Sequence, residues 1–229
     1  MGPRIESNRQ KPKRPVSRKA GRNTGSDPRE KDSLGLRIIG GTLRGSYLVY
    51  AGDNRVRPMK DRVREAVFNL IGPEVRGKHV IDLFAGTGAL ALEAVSRGAI
   101  YATLIELHLP TAKNARTNIE NLAQTEKCQQ ISTDAFYWTK TRENFQSHGP
   151  WLVFVSPPYE FFILRKKEML EMIGILYEAA PEGSLIVIES DHRFDFSTLP
   201  AEVPEKKRRS YPPAEIGILV KESESQAAS

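Results

Sequence analysis

From residue 78 onward, short apolar runs recur at intervals filled by stretches of helical spacing. The runs predict strands at 79–84, 101–106, 128–132, 151–155 and 184–190. Between them the spacing predicts helices at 88–97, 110–122, 134–146 and 164–179, the second opened by Pro110 in its first turn. Two further β-type runs, 206–211 and 215–221, read as a closing hairpin. This order implies an α/β fold: a mostly parallel seven-stranded sheet wound on both faces, with the terminal hairpin as an antiparallel edge.

Ahead of this region, residues 36–50 alternate short β-type runs with Gly40, Gly41 and Gly45, the pattern of a small hairpin. A helix follows, with Val63, Ala66, Val67, Leu70 and Ile71 on one face, Asp61 placed to cap its start, and Gly72-Pro73 to stop it. Arg62, Arg64 and Glu65 fall on the opposite face. The expected organisation is a basic tail over 1–35, a hairpin-and-helix extension over 36–75, the main domain over 76–222 and a frayed end over 223–229.

Charge sharpens that division. The 229 residues carry a formal +6, and residues 1–33 alone hold ten Lys/Arg against four Asp/Glu, so the whole excess sits in the tail. That segment has almost no apolar residues with which to offset its ordering entropy, and it reads as disordered. A basic arm favours nucleic acid through counterion release; a solubilising extension without a partner is the other reading. A single cysteine, Cys128, excludes an intramolecular disulfide framework, and no Cys/His pattern has zinc spacing, so no metal is expected. No apolar stretch approaches the roughly 18 residues of a membrane span, and no secretory signal opens the chain, which makes the cytoplasm the default compartment.

The most informative segment is Asp82-Leu-Phe-Ala-Gly-Thr-Gly-Ala-Leu90, a glycine turn joining an apolar strand to a helix. Such a turn brings backbone close to a ligand and aims helix N–H groups at it. The Asp82 carboxylate would repel a pyrophosphate and hold an ammonium, which turns the reading from a dinucleotide toward S-adenosylmethionine. Phe84, Ala85, Gly86 and Gly88 complete the cofactor-binding candidates of the turn. Glu106 ends the next strand 24 residues after Asp82, near the roughly 20-residue offset at which such folds set an acid on ribose hydroxyls. Asp134 and Ala135, after the third strand, stand where this fold class reads an adenine amino group; Asp134 also suits a helix N-cap. Trp151-Leu-Val-Phe-Val155 then runs into Ser156-Pro157-Pro158-Tyr159, a stiff loop with an aromatic at its end. Trp138 and Trp151 read as core. Glu189, near the end of the fifth run, would face either the site or solvent.

In order and spacing, Arg37-Ile-Ile-Gly-Gly-Thr-Leu-Arg-Gly45, Arg57-Pro58, Asp61-Arg-Val-Arg-Glu65, the glycine turn and Ser156-Pro-Pro-Tyr159 resemble the RsmD family over about residues 36–221. The resemblance implies a Rossmann-like class I methyltransferase fold and S-adenosylmethionine as donor. It also implies methylation of a guanine N2 amine in small-subunit (16S) ribosomal RNA on an assembled or partly assembled particle. Arg57, Asp61, Arg62 and Arg64 are then the substrate-binding residues, and a monomer is expected. Two positions depart from the family pattern: Ser156 stands where an acid heads the loop, and Met59-Lys60 where threonines are usual.

An exocyclic base amine is a weak nucleophile because its lone pair is delocalised into the ring. A site that methylates it must accept hydrogen bonds from its protons. Ser156 Oγ and the Pro157 carbonyl are the acceptors expected here, and Tyr159 would stack on the extruded base. Two alternatives stay open: an amino-methyltransferase acting on DNA cytosine N4 or adenine N6, and a catalytically silent RNA-binding assembly factor.

Overall fold

The computed structural model describes residues 1–2, 35–50, 59–145, 148–201, 203 and 205–222. The chain divides into Met1–Asp32 and Ser33–Ser229, and every element below belongs to the second unit. Residues 3–34 of the basic tail, residues 51–58 before the first helix and the 223–229 end lie outside the described residues.

Seven strands form one sheet: β1 (His79–Asp82), β2 (Tyr101–Ile105), β3 (Cys128–Ile131), β4 (Trp151–Val155), β5 (Leu185–Asp191), β6 (Glu205–Tyr211) and β7 (Ala214–Val220), in the order β3-β2-β1-β4-β5-β7-β6. The pairs among β1 to β5 are parallel, whereas β7 runs antiparallel between β5 and β6. Every residue of β1, β4 and β5 is buried, as expected of central strands covered on both faces. Alternation along β4 divides the core: Leu152 and Phe154 join one apolar layer, Trp151, Val153 and Val155 the other.

The helices are α1 (Asp61–Ile71), α2 (Ala89–Ser96), α3 (Leu109–Asn121), α4 (Ala135–Lys140), α5 (Phe161–Leu164) and α6 (Lys166–Ala179). Two differ from the sequence reading. The 134–146 stretch is helical only to Lys140 and continues as a 3-10 turn at Arg142–Asn144. The 164–179 helix begins at Lys166, preceded by the separate short α5 that shapes the loop after β4. Apolar residues from α1, α2 and α3 cover one face of the sheet and those from α4 and α6 the other.

Helix α2, Ala-Leu-Ala-Leu-Glu-Ala-Val-Ser, is buried at every position, so its polar side chains need partners inside the protein. The 36–50 segment supplies them. It is a narrow hairpin closed by the Arg37–Tyr47 bridge and packed along α2. The Glu93 carboxylate accepts the N–H groups of Ile39 at 2.7 Å and Gly40 at 2.8 Å, and the Ser96 carbonyl accepts the Thr42 N–H at 2.8 Å. Gly41, at φ +77°, passes so close that a Cβ would lie 1.9 Å from the Ser96 carbonyl oxygen, which only glycine tolerates. The extension is thereby bonded into the core.

Helix α1 is rotated relative to the expected face. Arg64 is buried with Val67, Phe68 and Ile71, while Val63, Ala66 and Leu70 are half-buried. Its cap is also different: Lys60 occupies the N-cap without a side-chain bond, and Asp61 turns instead to Arg64 and Arg37, at 3.0 and 3.6 Å. Charge neutralisation of Arg64 outweighs capping here because burying an unpaired guanidinium is the larger cost.

Candidate functional site

The crevice opens where the strand order reverses, between the carboxyl ends of β1 and β4, the position at which open α/β sheets take ligands. After β1 the chain turns through Leu83 to Gly88. The Leu83 N–H bonds to Phe154 and the Ala85 N–H to Ile105, which fixes the turn between two neighbouring strands. Gly86 and Gly88 take φ of 55° and 83°. At Gly88 a Cβ would meet Leu104 Cδ2 at 2.8 Å, so this glycine serves the packing of helix on strand.

Glu106, directly after β2, accepts the Gly86 N–H at 2.9 Å through one oxygen and the His108 N–H at 2.7 Å through the other. These bonds hold its carboxylate against the glycine turn at the cleft wall. Asp134 caps α4 by accepting the Tyr137 N–H at 3.0 Å and also borders the cleft.

Opposite stands the loop after β4. Register pairs Val155 with Ile188, so Ser156 and Glu189 follow side by side on neighbouring strands. Glu189 is buried in the cleft wall and accepts the Tyr159 hydroxyl at 2.9 Å. Burial pushes its carboxyl above the ordinary carboxylate range, against the hydroxyls of Tyr159 and Ser156. The Ser156 hydroxyl is buried beside it without a hydrogen bond of good geometry. Glu189 therefore faces the site, the alternative that strand-end position alone did not decide.

Together these walls enclose a cleft of about 920 Å³, bordered by Phe84, Gly86, Glu106, Asp134, Ala135, Ser156, Pro157 and Tyr159. Asp82, Ala85 and Gly88 are buried and stand behind that lining. Both Asp82 oxygens are buried without a hydrogen bond of good geometry, and burial pushes its carboxyl up to about 7, with the nearby Glu106 and Glu189 acting in the same direction. An orphaned carboxylate behind the turn, with Glu106 and Asp134 at the cleft wall, fits a ligand bearing an ammonium, ribose hydroxyls and an adenine amine. It does not fit a pyrophosphate.

Several lining residues carried no signal in the sequence. Leu107 and Leu109 are 63% and 68% exposed at the cleft and offer apolar surface to a flat ring. Arg165 lies 3.8 Å over the Phe136 ring and pairs with Glu168. Tyr211 to Ala214 border the cleft from the β6–β7 turn, which no motif would have brought there, whereas Met59 and Lys60, the pair that departs from the family pattern, border it from the start of α1.

The substrate-binding candidates separate. Arg57 lies outside the described residues. Arg62 is exposed on α1 and Asp61 half-buried; neither borders the cleft. Arg64 is corrected: its side chain has no exposed surface, bonds to the Arg37 carbonyl and Asp61, and lies 3.8 Å from Glu93. It has nothing to present to a phosphate: Arg62 and Glu65 are exposed as expected, but Arg64 lies on the buried face with Val67, Phe68 and Ile71.

Among the described residues no helix is long and apolar enough to cross a membrane, and no cluster of three or more His, Cys, Asp or Glu is placed to hold a metal ion. Compared with known proteins, residues 36–219 match the family described as "Conserved hypothetical protein 95". The chain is 34% identical over 175 residues to ribosomal RNA small subunit methyltransferase D of Escherichia coli K12, covering 76% of this chain and 84% of that protein. The solved structure of yhhF from Escherichia coli is similar at TM-score 0.69 and 29% identity, covering 82% of this chain and 98% of that one. In fold alone, the chain is similar to the 16S rRNA N2 G1207 methyltransferase of Thermus thermophilus, solved with AdoMet and guanosine, at TM-score 0.59 and 21% identity over 75% of this chain and 45% of that one. With the glycine turn, the acid after β2 and the Ser-Pro-Pro-Tyr loop on one cleft of this sheet, the chain belongs to the RsmD family, the family whose model spans it from the hairpin to the last strand.

Proposed function

We propose that this protein transfers a methyl group from S-adenosylmethionine to the exocyclic N2 amine of a guanine in small-subunit ribosomal RNA. Its acceptor is an assembled or partly assembled subunit, and it acts as a cytoplasmic monomer. The observation that carries the reading is the convergence of the glycine turn with Glu106 and of Ser156 to Tyr159 on a single cleft. The named relative in Escherichia coli supports ribosomal RNA as the acceptor class.

When bound, the cofactor supplies an already activated methyl group on a sulfonium, so the protein has chiefly to orient and desolvate the reactants. Glu106 would hold the ribose hydroxyls, Asp134 the adenine amine, and Asp82 the ammonium across the turn. Pro157 and Pro158 fix the loop backbone and leave no competing N–H at those positions, so the Pro157 carbonyl stays directed as an acceptor for the amine. The Tyr159 ring offers a stacking surface worth about 1–3 kcal/mol per base. Exposed Lys60 at the rim and exposed Arg62 on α1 are candidates for binding backbone phosphates.

Undermethylated small subunits incubated with tritiated cofactor, followed by digestion to nucleosides, test the reading. Label in N2-methylguanosine is expected. Label in DNA cytosine or adenine instead would replace the acceptor assignment, and cofactor binding without transfer to any acceptor would favour a silent binding factor.

A further inference from the structure

A neutral serine at the head of the acceptor loop leaves a chemical gap. As an amine nitrogen gives its lone pair to a methyl carbon it becomes cationic, and Ser156 can accept a hydrogen bond from it but cannot take up its proton at neutral pH. The sheet fills that gap from the next strand. Because Val155 pairs with Ile188, Glu189 stands beside Ser156, with its carboxylate in the cleft wall and its Oε1 held by the Tyr159 hydroxyl. That hydrogen bond occupies one side of the carboxylate and ties it to the ring on which the base would stack. Glu189 is thus the buried carboxylate set beside both Ser156 and Tyr159.

Resting on the proposed methyl transfer, we propose that Glu189 is its proton acceptor, a catalytic residue that stands in for a loop-head acid. The nitrogen–carbon bond forms from the amine lone pair while the sulfur–carbon bond breaks and its electron pair remains on sulfur. The amine proton passes to a Glu189 oxygen, and the resulting carboxylic acid later releases it to solvent. Ser156 Oγ and the Pro157 carbonyl orient the amine, and Tyr159 orients both base and carboxylate. Burial, which raises the Glu189 carboxyl, suits it to accept a proton during turnover.

The test measures kcat and KM for methyl transfer by wild type, Glu189→Gln, Tyr159→Phe and the Ser156→Asp/Glu189→Gln double variant, with cofactor binding followed by calorimetry. Glu189→Gln lowers kcat by roughly 100-fold or more, the range for loss of a general base, while cofactor affinity is retained. The double variant recovers much of that loss by returning a carboxylate to the adjacent position. Tyr159→Phe, which removes the hydrogen bond and keeps the ring, loses much less. A Glu189→Gln variant with near-normal kcat overturns the proposal. So does an equal loss in Tyr159→Phe without rescue by Ser156→Asp, which would make Glu189 only a holder of Tyr159. If wild type labels a base other than guanine, the acceptor reading fails, but the same comparison on that acceptor still decides Glu189. A wild type that binds cofactor and transfers to no acceptor overturns both.

Discussion

The carboxylate of Glu93, in the middle of a wholly buried helix, accepts the backbone N–H of Gly40 at 2.8 Å from a segment 53 residues earlier in the chain. The same carboxylate pairs with Arg97 at 2.7 Å and stands 3.8 Å from Arg64. One buried acid thus joins the hairpin extension, helix α1 and the glycine-turn helix α2, and the rim of the cleft at Lys60 and Val63 rests on that junction.

Removing Glu93 leaves the buried Arg64 guanidinium with Asp61 as its remaining acidic partner. Glu93→Ala is expected to destabilise the protein by about 3–5 kcal/mol, the usual cost of breaking a buried pair from one side. Urea unfolding measures it. A loss below about 1 kcal/mol, the value of a surface pair, would show that the extension is held by packing instead.

Arg62 and Arg64, two residues apart, are expected to respond oppositely. Arg64→Ala lowers the unfolding midpoint by removing the partner of the Arg37 carbonyl and leaving the buried Glu93 with Arg97 as its remaining cation, whereas exposed Arg62→Ala leaves it in place and weakens RNA binding with a salt slope reduced by about 1. Equal effects of the two on RNA binding, with stability intact, would restore Arg64 to the interface.

Asp82 gives a stability prediction that depends on pH. Its folded-state acid is raised to about 7 from an ordinary value of 3.8, chiefly by burial. The contribution is therefore present in full below the unfolded value and is lost as pH rises through 7, where the buried group must ionise. Asp82→Asn should stabilise the cofactor-free protein by about 1–3 kcal/mol at about pH 8, and much less at about pH 5. It should also weaken binding of a cofactor that carries an ammonium. Unfolding midpoints at the two pH values, with calorimetry at the higher one, measure both; a variant less stable than wild type at the alkaline pH contradicts the assignment.

Glu106→Ala removes the proposed ribose acceptor together with the bonds to the Gly86 and His108 N–H groups. S-adenosylmethionine affinity should fall by a few kcal/mol. Calorimetry giving an affinity close to wild type would mean that the ribose is held elsewhere.

The tail holds the whole formal +6, so deleting residues 1–33 should flatten the log–log salt dependence of nonspecific RNA binding while cofactor affinity stays the same. Each phosphate that the shortened chain no longer neutralises lowers the slope by about 0.7 on single strands and about 0.9 on duplex. An unchanged slope would make the segment a solubilising extension.

What the amino-acid sequence determined by itself was what depends on local periodicity and on backbone limits. The buried runs of β1, β4 and β5 and the order of elements carried the doubly wound sheet. The positive φ of Gly86 and Gly88 carried the turn, because few other residues tolerate it. Those features set Glu106, Asp134 and Ser156 to Tyr159 just beyond strand ends, and in the folded chain they line one cleft. Tertiary structure decided whatever depends on two segments meeting. Arg64 shares its helical face with Val67, Phe68 and Ile71, but its polar partners, the Arg37 carbonyl and the Glu93 carboxylate, come from segments distant in the chain. Glu93 reads as an ordinary helix acid until Ile39 and Gly40 arrive. Glu189 lies 33 residues beyond Ser156, and only the parallel register of β4 and β5 makes them neighbours. Hydrophobic periodicity reports which face of an element is covered, but the partner of a polar group is set by register and docking between distant segments, and neither leaves a local mark in the chain.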